Sequence, residues 1–188
     1  MFCYAVMSPI LTTARLVLRP FTMDDAAAYA DIRLHEKVID WLPQPPSGEG
    51  RAETAERTIR HFQECWAQHG FGPWAVCDRE TGRLIGQCGL RYLDDFKGVE
   101  VLWTIDPSCW RRGYASEAAA ESLRFGFEQA GLEEIFAITL PTNTASRGVM
   151  EKISMRYRRE TAWKGFDIVY YDIDRATWQS RRNENGRL

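Results

Sequence analysis

The chain is predicted to fold as an α/β (α+β) domain on one mixed, mostly antiparallel sheet of about seven strands with about four flanking helices. Three observations predict it. Strand-like and helix-like patterns alternate along the whole length, as layered domains of sheet and helix require. Turn signals at Asp78 to Gly82 and Asp94 to Gly98 divide three successive strand patterns, the mark of an antiparallel meander. A single strand then runs into a turn containing Gly113 and on into a helix.

The elements follow in order. Arg15-Leu16-Val17-Leu18-Arg19 is a short strand ended by Pro20, and Thr22 with Asp25 forms a capping-box pattern that opens an alanine-rich helix to about Leu34. Leu42 to Gly50, dense in proline and glycine, cannot continue a helix or a central strand. Ile59, Phe62 and Trp66 keep helical spacing in a second helix from about Ala52 to Gln68. The meander strands are Pro73 to Cys77, Leu84 to Arg91 and Val99 to Ile105. In the last of these Val99, Val101, Trp103 and Ile105 share one face, and Glu100, Leu102 and Thr104 share the other. A third helix spans Ala115 to Ala130, with Ala115, Ala119, Leu123 and Phe127 as its apolar stripe and Gly131 as its stop. Ile135 to Leu140 is a strand, and Asn143 caps a helix from Thr144 to Lys152. Two strands, about Tyr157 to Trp163 and Asp167 to Asp174, meet at Lys164-Gly165. Trp41, Trp66, Trp74, Trp103 and Phe71 are assigned to core or pocket wall.

At 188 residues one domain over 12–180 is expected, between an N-terminal extension, 1–11, and a polar tail, 181–188. Met7 is an alternative start. Hydrophobic residues make up 45% and charged residues 27%, ordinary for a soluble globular protein. The formal net charge of -2 offers no general attraction to nucleic acid or an anionic membrane. No segment approaches the roughly 20 apolar residues of a membrane span. The 5 cysteines form no CxxC pair, which disfavours a disulfide framework or zinc site and fits reduced thiols in the cytoplasm. His35, His61 and His69 show no ligand spacing, so no metal is expected.

The stretch Trp110-Arg111-Arg112-Gly113-Tyr114-Ala115 carries the chemistry. A glycine turn opening a helix presents unpaired amides and the positive end of the helix dipole, which suits a phosphate. Gly113 lets the backbone approach oxygens closely, Ala115 is small, and Arg111 and Arg112 add positive charge. A plain connection flanked by solvated arginines has the same pattern. The turn is too short for a P-loop, and no GxGxxG follows the first strand.

Several stretches, in one order, resemble the GCN5-related N-acetyltransferases, and among them the ribosomal-protein N-terminal acetylase branch. They are Thr12 to Pro20, Leu84 to Leu90, Glu100 to Pro107, Gly113 to Ala118, Asn143 to Ser146 with Glu151-Lys152, and Tyr170 to Trp178. The resemblance implies acetyl-CoA wedged where the fourth and fifth strands splay apart, its pyrophosphate on the amides around Arg111 to Ala115. The cofactor residues it implies are Ile105, Arg111, Arg112, Gly113, Tyr114, Ala115, Ser116, Asn143 and Ser146. Four positions depart from the family pattern: Trp110 in place of a polar donor, Ser154-Met155 in place of Gly-Phe, and Leu102 at a common glycine.

Transfer to an amine needs a base and a proton donor for the leaving thiolate. Glu100 is the candidate base, with an exposed strand glutamate as the alternative reading. Ser146 is the candidate donor by the resemblance, with a first-turn helix serine as its alternative and Tyr170 or Tyr171 as other donors. Cys109 adjoins the turn without a visible base, which favours direct transfer over an acetyl-enzyme. The expected activity is acetyl transfer from acetyl-CoA to a primary amine, either a protein N-terminus or a small molecule, by a monomer or homodimer. An aminoglycoside-type enzyme is disfavoured by scattered acidic residues, and a non-catalytic acyl-CoA-binding module by the presence of Glu100, Asn143 and Ser146.

Overall fold

A computed structural model describes residues 8–42 and 48–185. The start at Met7 and much of the proline-rich segment expected between Leu42 and Gly50 lie outside the described residues. The strands are β1 (Leu11–Thr12), β2 (Leu16–Arg19), β3 (Pro73–Asp78), β4 (Leu84–Leu93), β5 (Gly98–Ile105), β6 (Glu134–Thr139), β7 (Arg156–Trp163) and β8 (Phe166–Asp174). The helices are α1 (Ala26–Arg33), α2 (Glu36–Ile39), α3 (Arg51–His69), α4 (Tyr114–Glu128), α5 (Thr144–Lys152) and α6 (Arg175–Asn185).

The strands form one sheet in the order β1-β2-β3-β4-β5-β6-β8-β7. Every neighbouring pair is antiparallel except β5 and β6, which run parallel. Local chemistry explains the joints. The Thr22 amide donates to Asp25 Oδ2 at 2.9 Å, so the capping acid turns the chain out of β2 toward α1. Lys164 and Gly165 both have positive φ, at 49° and 83°, the requirement of a two-residue type I′ hairpin between β7 and β8.

Helices cover both faces. Trp74, Val76, Leu90 and Val101 pack toward Leu123 and Phe127 of α4. Ala75 and Cys77, on the opposite face, meet Tyr29 of α1 and Ile59 and Phe62 of α3. Register assigns β5 to these faces. Thr104 pairs with Gln87, which pairs with Ala75, so Thr104 and Glu100 lie on the α1/α3 face. Val99, Val101 and Ile105 lie on the α4 face, as their alternation predicts.

Among the described residues the counts exceed expectation by one strand and two helices. β1 has two residues and α2 has four, too short to carry a period. α6 extends from Arg175 through Arg181 to Asn185, so the expected polar tail begins inside a helix. Its start had a readable signal, because Asp174 Oδ1 accepts the Thr177 amide at 2.6 Å as a helix cap. Trp66 and Trp74 are core residues as expected, whereas Trp41 is 43% exposed.

Candidate active site

The two middle strands part company almost at once. β5 and β6 share one registered pair, Glu100 with Phe136, after which β6 bonds only to β8. Beyond that rung the facing edges of both strands carry amides and carbonyls with no strand partner, and the side chains of Leu102, Trp103, Ile138 and Thr139 are only half-buried. The slot is the expected splay between the fourth and fifth long strands.

At the foot of the slot the chain makes its glycine turn. Asp106 Oδ1 accepts the Ser108 amide at 2.9 Å and starts a short 3-10 turn, Pro107–Cys109. Trp110 then folds back and donates its indole N–H to the Ile105 carbonyl at 2.7 Å, while 42% of the residue stays exposed. Arg111 and Gly113 both adopt left-handed backbone, with φ of 61° and 80°. The first intrahelical bond runs from the Glu117 amide to the Gly113 carbonyl at 3.0 Å. The amides of Tyr114, Ala115 and Ser116 precede it and point out of the helix end unpaired by the helix itself.

Arg15, given no role on sequence grounds, wraps this turn. Its Nη1 donates to the Arg112 carbonyl at 2.9 Å, and its Nε donates to Glu117 Oε2 at 2.7 Å. Its guanidinium also lies 4.6 Å from the Tyr114 ring. Glu117 Oε1 accepts from Thr13 Oγ1 at 2.6 Å and from the Arg15 amide at 2.9 Å. Burial alone would raise the Glu117 carboxyl, but these donors and the Arg15 charge outweigh it and hold it below its ordinary value. A Cβ on Gly113 would stand 3.5 Å from Arg15 Nη2 and 3.9 Å from Lys152 Nζ. Cations, free amides and a helix dipole therefore converge on one point, and the donor set fits a diphosphate. Tyr114 turns its side chain away toward Asp78, 3.5 Å distant, so only its backbone faces that point.

Glu100 sits at the fork itself. It is 4% exposed, which overturns the exposed-glutamate alternative, and its Oε2 accepts from Arg91 Nη2 at 2.5 Å and Nε at 3.2 Å. Burial pushes its carboxyl above the ordinary range, and the Arg91 guanidinium opposes that rise. Tyr170 shares its face. Phe136 stacks on Tyr170 at 5.1 Å and 14°, and burial pushes the Tyr170 hydroxyl up to about 12. Tyr171 points to the other face, where its hydroxyl accepts from Arg147 Nε at 3.2 Å and donates to Glu151 at 3.3 Å, both in α5.

Asn143 Oδ1 accepts the Ser146 amide at 3.1 Å, so its carbonyl is committed to capping α5. Ser146 stands in the first turn of α5, a helix that packs on the α4 face of the sheet, opposite to the face of Glu100. On the Glu100 side the β4–β5 turn folds onto the β7–β8 hairpin. Phe96 lies 5.1 Å from Phe136 and 5.9 Å from Trp163, whose indole donates to Asp95 at 2.7 Å. Arg159 caps the Tyr170 ring at 4.6 Å and Lys164 the Trp163 ring at 4.8 Å.

A parted parallel strand pair, a phosphate-type turn at its foot and a buried carboxylate at its fork define an acyl-CoA-using transferase. The acetyltransferase (GNAT) domain profile matches residues 15–156. The N-acetyltransferase YoaA of Bacillus subtilis (strain 168), itself described as uncharacterized, is 32% identical over 80% of this chain and 84% of its own. The FsC-acetyl coenzyme A-N(2)-transacetylase of Aspergillus fumigatus is 35% identical over 90% of this chain and 78% of its own. The structure of Mycobacterium smegmatis RimJ in complex with CoA-disulfide shares the fold, with a TM-score of 0.71, 23% identity, and coverage of 92% of this chain and 90% of that one. The chain belongs to the GNAT acetyltransferases and is an acetyl-CoA-dependent N-acetyltransferase. Among the described residues no His, Cys, Asp or Glu group could hold a metal, and no helix is long and apolar enough to cross a membrane.

Proposed function

We propose that the chain acetylates a primary amine on a small molecule, with the pyrophosphate of acetyl-CoA on the turn from Arg111 to Ser116 and the pantetheine arm in the slot between β5 and β6. The observation that carries this reading is the single rung between Glu100 and Phe136, which leaves an open slot leading from the turn to a buried carboxylate. Acetyl-CoA supplies the acyl group as a thioester. Ile105 and the free strand edge line the arm, Arg112 and Lys152 face the phosphates, and the first turn of α5 borders the thioester end.

Glu100 accepts the proton that the amine nitrogen releases as its bond to the acetyl carbon forms. The raised carboxyl makes it a stronger base than an exposed glutamate. Ser146 offers its hydroxyl proton to the sulfur as the carbon–sulfur bond breaks and recovers a proton from solvent, while Glu100 releases its own to solvent before the next turnover. Holding donor and acceptor side by side in the slot contributes about 7–11 kcal/mol, the largest share of the rate.

The acceptor side favours a small amine with apolar or anionic parts. Its wall is aromatic, from Phe96, Phe136 and Tyr170, and its rim carries Arg159 and Lys164. Lys164 pairs with Asp95 at 3.6 Å, so Arg159 is the cation of this rim that disfavours a polycation such as an aminoglycoside. The Aspergillus relative is named for transfer to N(2) of FsC, and this too supports a small-molecule acceptor. Thiol release from acetyl-CoA should be measured against small amines, aminoglycosides and peptides with free N-termini. Turnover on small amines is expected; turnover confined to peptides or to aminoglycosides would reject the acceptor class. The reading places the enzyme in the cytoplasm, where acetyl-CoA is made available.

A further inference from the structure

An extra residue in β7 turns a cation onto the face of Glu100. Along a regular strand Arg159 would share the face of Tyr157, whose ring meets Tyr171 at 5.5 Å on the α5 side of the sheet. The β7–β8 register shifts between the two: Tyr157 pairs with Tyr171, and Arg159 with Tyr170. Arg158 is the extra residue of this bulge. Arg159 therefore rises on the Tyr170 side, with its guanidinium 4.6 Å from the centre of that ring. Bulges beside active sites commonly re-aim a side chain in this way. Glu160 follows opposite Val169 and faces the other side of the sheet.

The acids near Arg159 on this face are engaged elsewhere. Asp172 accepts from Arg158 Nε at 2.8 and 2.9 Å. Asp95 holds the Trp163 indole at 2.7 Å and Lys164 at 3.6 Å. Glu134 stands at the opposite end of β6, paired with Asp174. Among the described residues Arg159 has no ion-pair partner; its contact is the Tyr170 ring. The Tyr170 hydroxyl likewise has no hydrogen-bond partner among the described residues, although the residue is only 9% exposed. A buried donor left open in this way calls for a ligand or water. Because burial pushes this hydroxyl up to about 12, it stays protonated and presents its O–H.

Both groups lie one aromatic ring away from the fork. Phe136 pairs with Glu100, and its ring stacks on Tyr170 at 5.1 Å. Tyr170 pairs with Ile138, two residues further along β6. Two strands across and two residues along set the Cα atoms of Glu100 and Tyr170 about 12 Å apart. Resting on the small-amine reading above, we infer that Arg159 and the Tyr170 hydroxyl hold a carboxylate of the acceptor while its amine lies beside Glu100. One guanidinium and one phenol O–H supply a single positive charge and a few donors, which match a carboxylate better than a phosphate dianion. The acceptor is then an amino acid whose amine and carboxylate stand several bonds apart, as in an ω-amino acid. An α-amino acid carries both groups on one carbon and cannot reach past the Phe136 ring.

The test measures thiol release from acetyl-CoA at low salt, with kcat and KM separated. It sets ω-amino acids against n-alkylamines of the same carbon number, 6-aminohexanoate against hexylamine among them. The wild type is expected to prefer the amino acids by about tenfold in kcat/KM, through KM, the scale of one charge-assisted hydrogen bond. Arg159→Gln should collapse that preference by raising the KM of the amino acids selectively. Arg159→Lys should restore part of it, since the charge remains and the planar fork is lost. Equal use of both series by the wild type would overturn the inference, as would an Arg159→Gln variant that keeps the preference or weakens both series alike. No turnover on either series would instead reject the small-amine reading beneath it, so the two failures are distinguishable.

Discussion

Arg15 and Glu117 lock the second strand to the helix that opens at Gly113, through a guanidinium that also holds the Arg112 carbonyl at 2.9 Å. Pulling that carbonyl to one side leaves the amides that follow it facing the cleft. Glu117→Gln should therefore lower stability by about 1–2 kcal/mol, a figure discounted for the 46% exposure of the Arg15 side chain. It should also raise the KM for acetyl-CoA several-fold with a smaller change in kcat. Denaturant unfolding and donor kinetics check both; a stability loss with an unchanged KM would make the pair a strut with no influence on the turn.

Gly113 has φ of 80°, where a β-branched residue is strained. Gly113→Val should cost about 1–2 kcal/mol from backbone strain and project a side chain toward the cations at 3.5 and 3.9 Å. Thermal unfolding with saturating acetyl-CoA is expected to show little or no stabilisation of this variant. A folded variant with the full shift would place the donor elsewhere.

Glu100 gives a pH signature. A base must be ionised to accept a proton, and burial raises this carboxyl, so the acid limb of kcat should lie above the ordinary glutamate value of about 4.3. Arg91 opposes the rise, so Arg91→Gln should move the limb further up. The sign for stability is the same as for any raised acid: stability contributed below the unfolded-state pKa is lost as pH rises through the folded-state pKa. Glu100→Gln should reduce kcat by about 10²–10⁴. Undiminished turnover, or a limb that Arg91→Gln leaves in place, would remove Glu100 from the chemistry.

Asn143 and Ser146 should separate structure from catalysis. Asn143→Ala removes a helix cap and should cost about 1 kcal/mol of stability. Ser146→Ala keeps that cap, whose donor is the Ser146 backbone amide, and should lower kcat more than donor affinity. An unchanged kcat would pass the proton-donor role to Tyr170, which shares the Glu100 face.

Much of the fold was legible because its long elements announce themselves. The α5 bounds, Thr144 to Lys152, and the Lys164-Gly165 hairpin follow from local capping and turn chemistry. The face of Glu100 followed from alternation, but its burial and its Arg91 partner depended on cross-strand register and on α1 and α3 closing over it. The role of Arg15 was invisible for a related reason. Nothing near it in sequence reveals that it ends beside a turn formed by Arg112 and Glu117. α6 carries a cap at Asp174 but one large apolar residue, Trp178, too few to mark an amphipathic stripe. Alternation likewise separated Tyr170 from Tyr171 without naming the face each would take; the contact of Tyr171 with α5 decides it.

The most direct measurement of the central claim is amide hydrogen exchange with and without acetyl-CoA. The expected result is new protection at the amides from Gly113 to Ser116 and along the free edge from Leu102 to Ile105, with β3 and α3 unchanged. Protection elsewhere, with those amides exchanging as before, would contradict it.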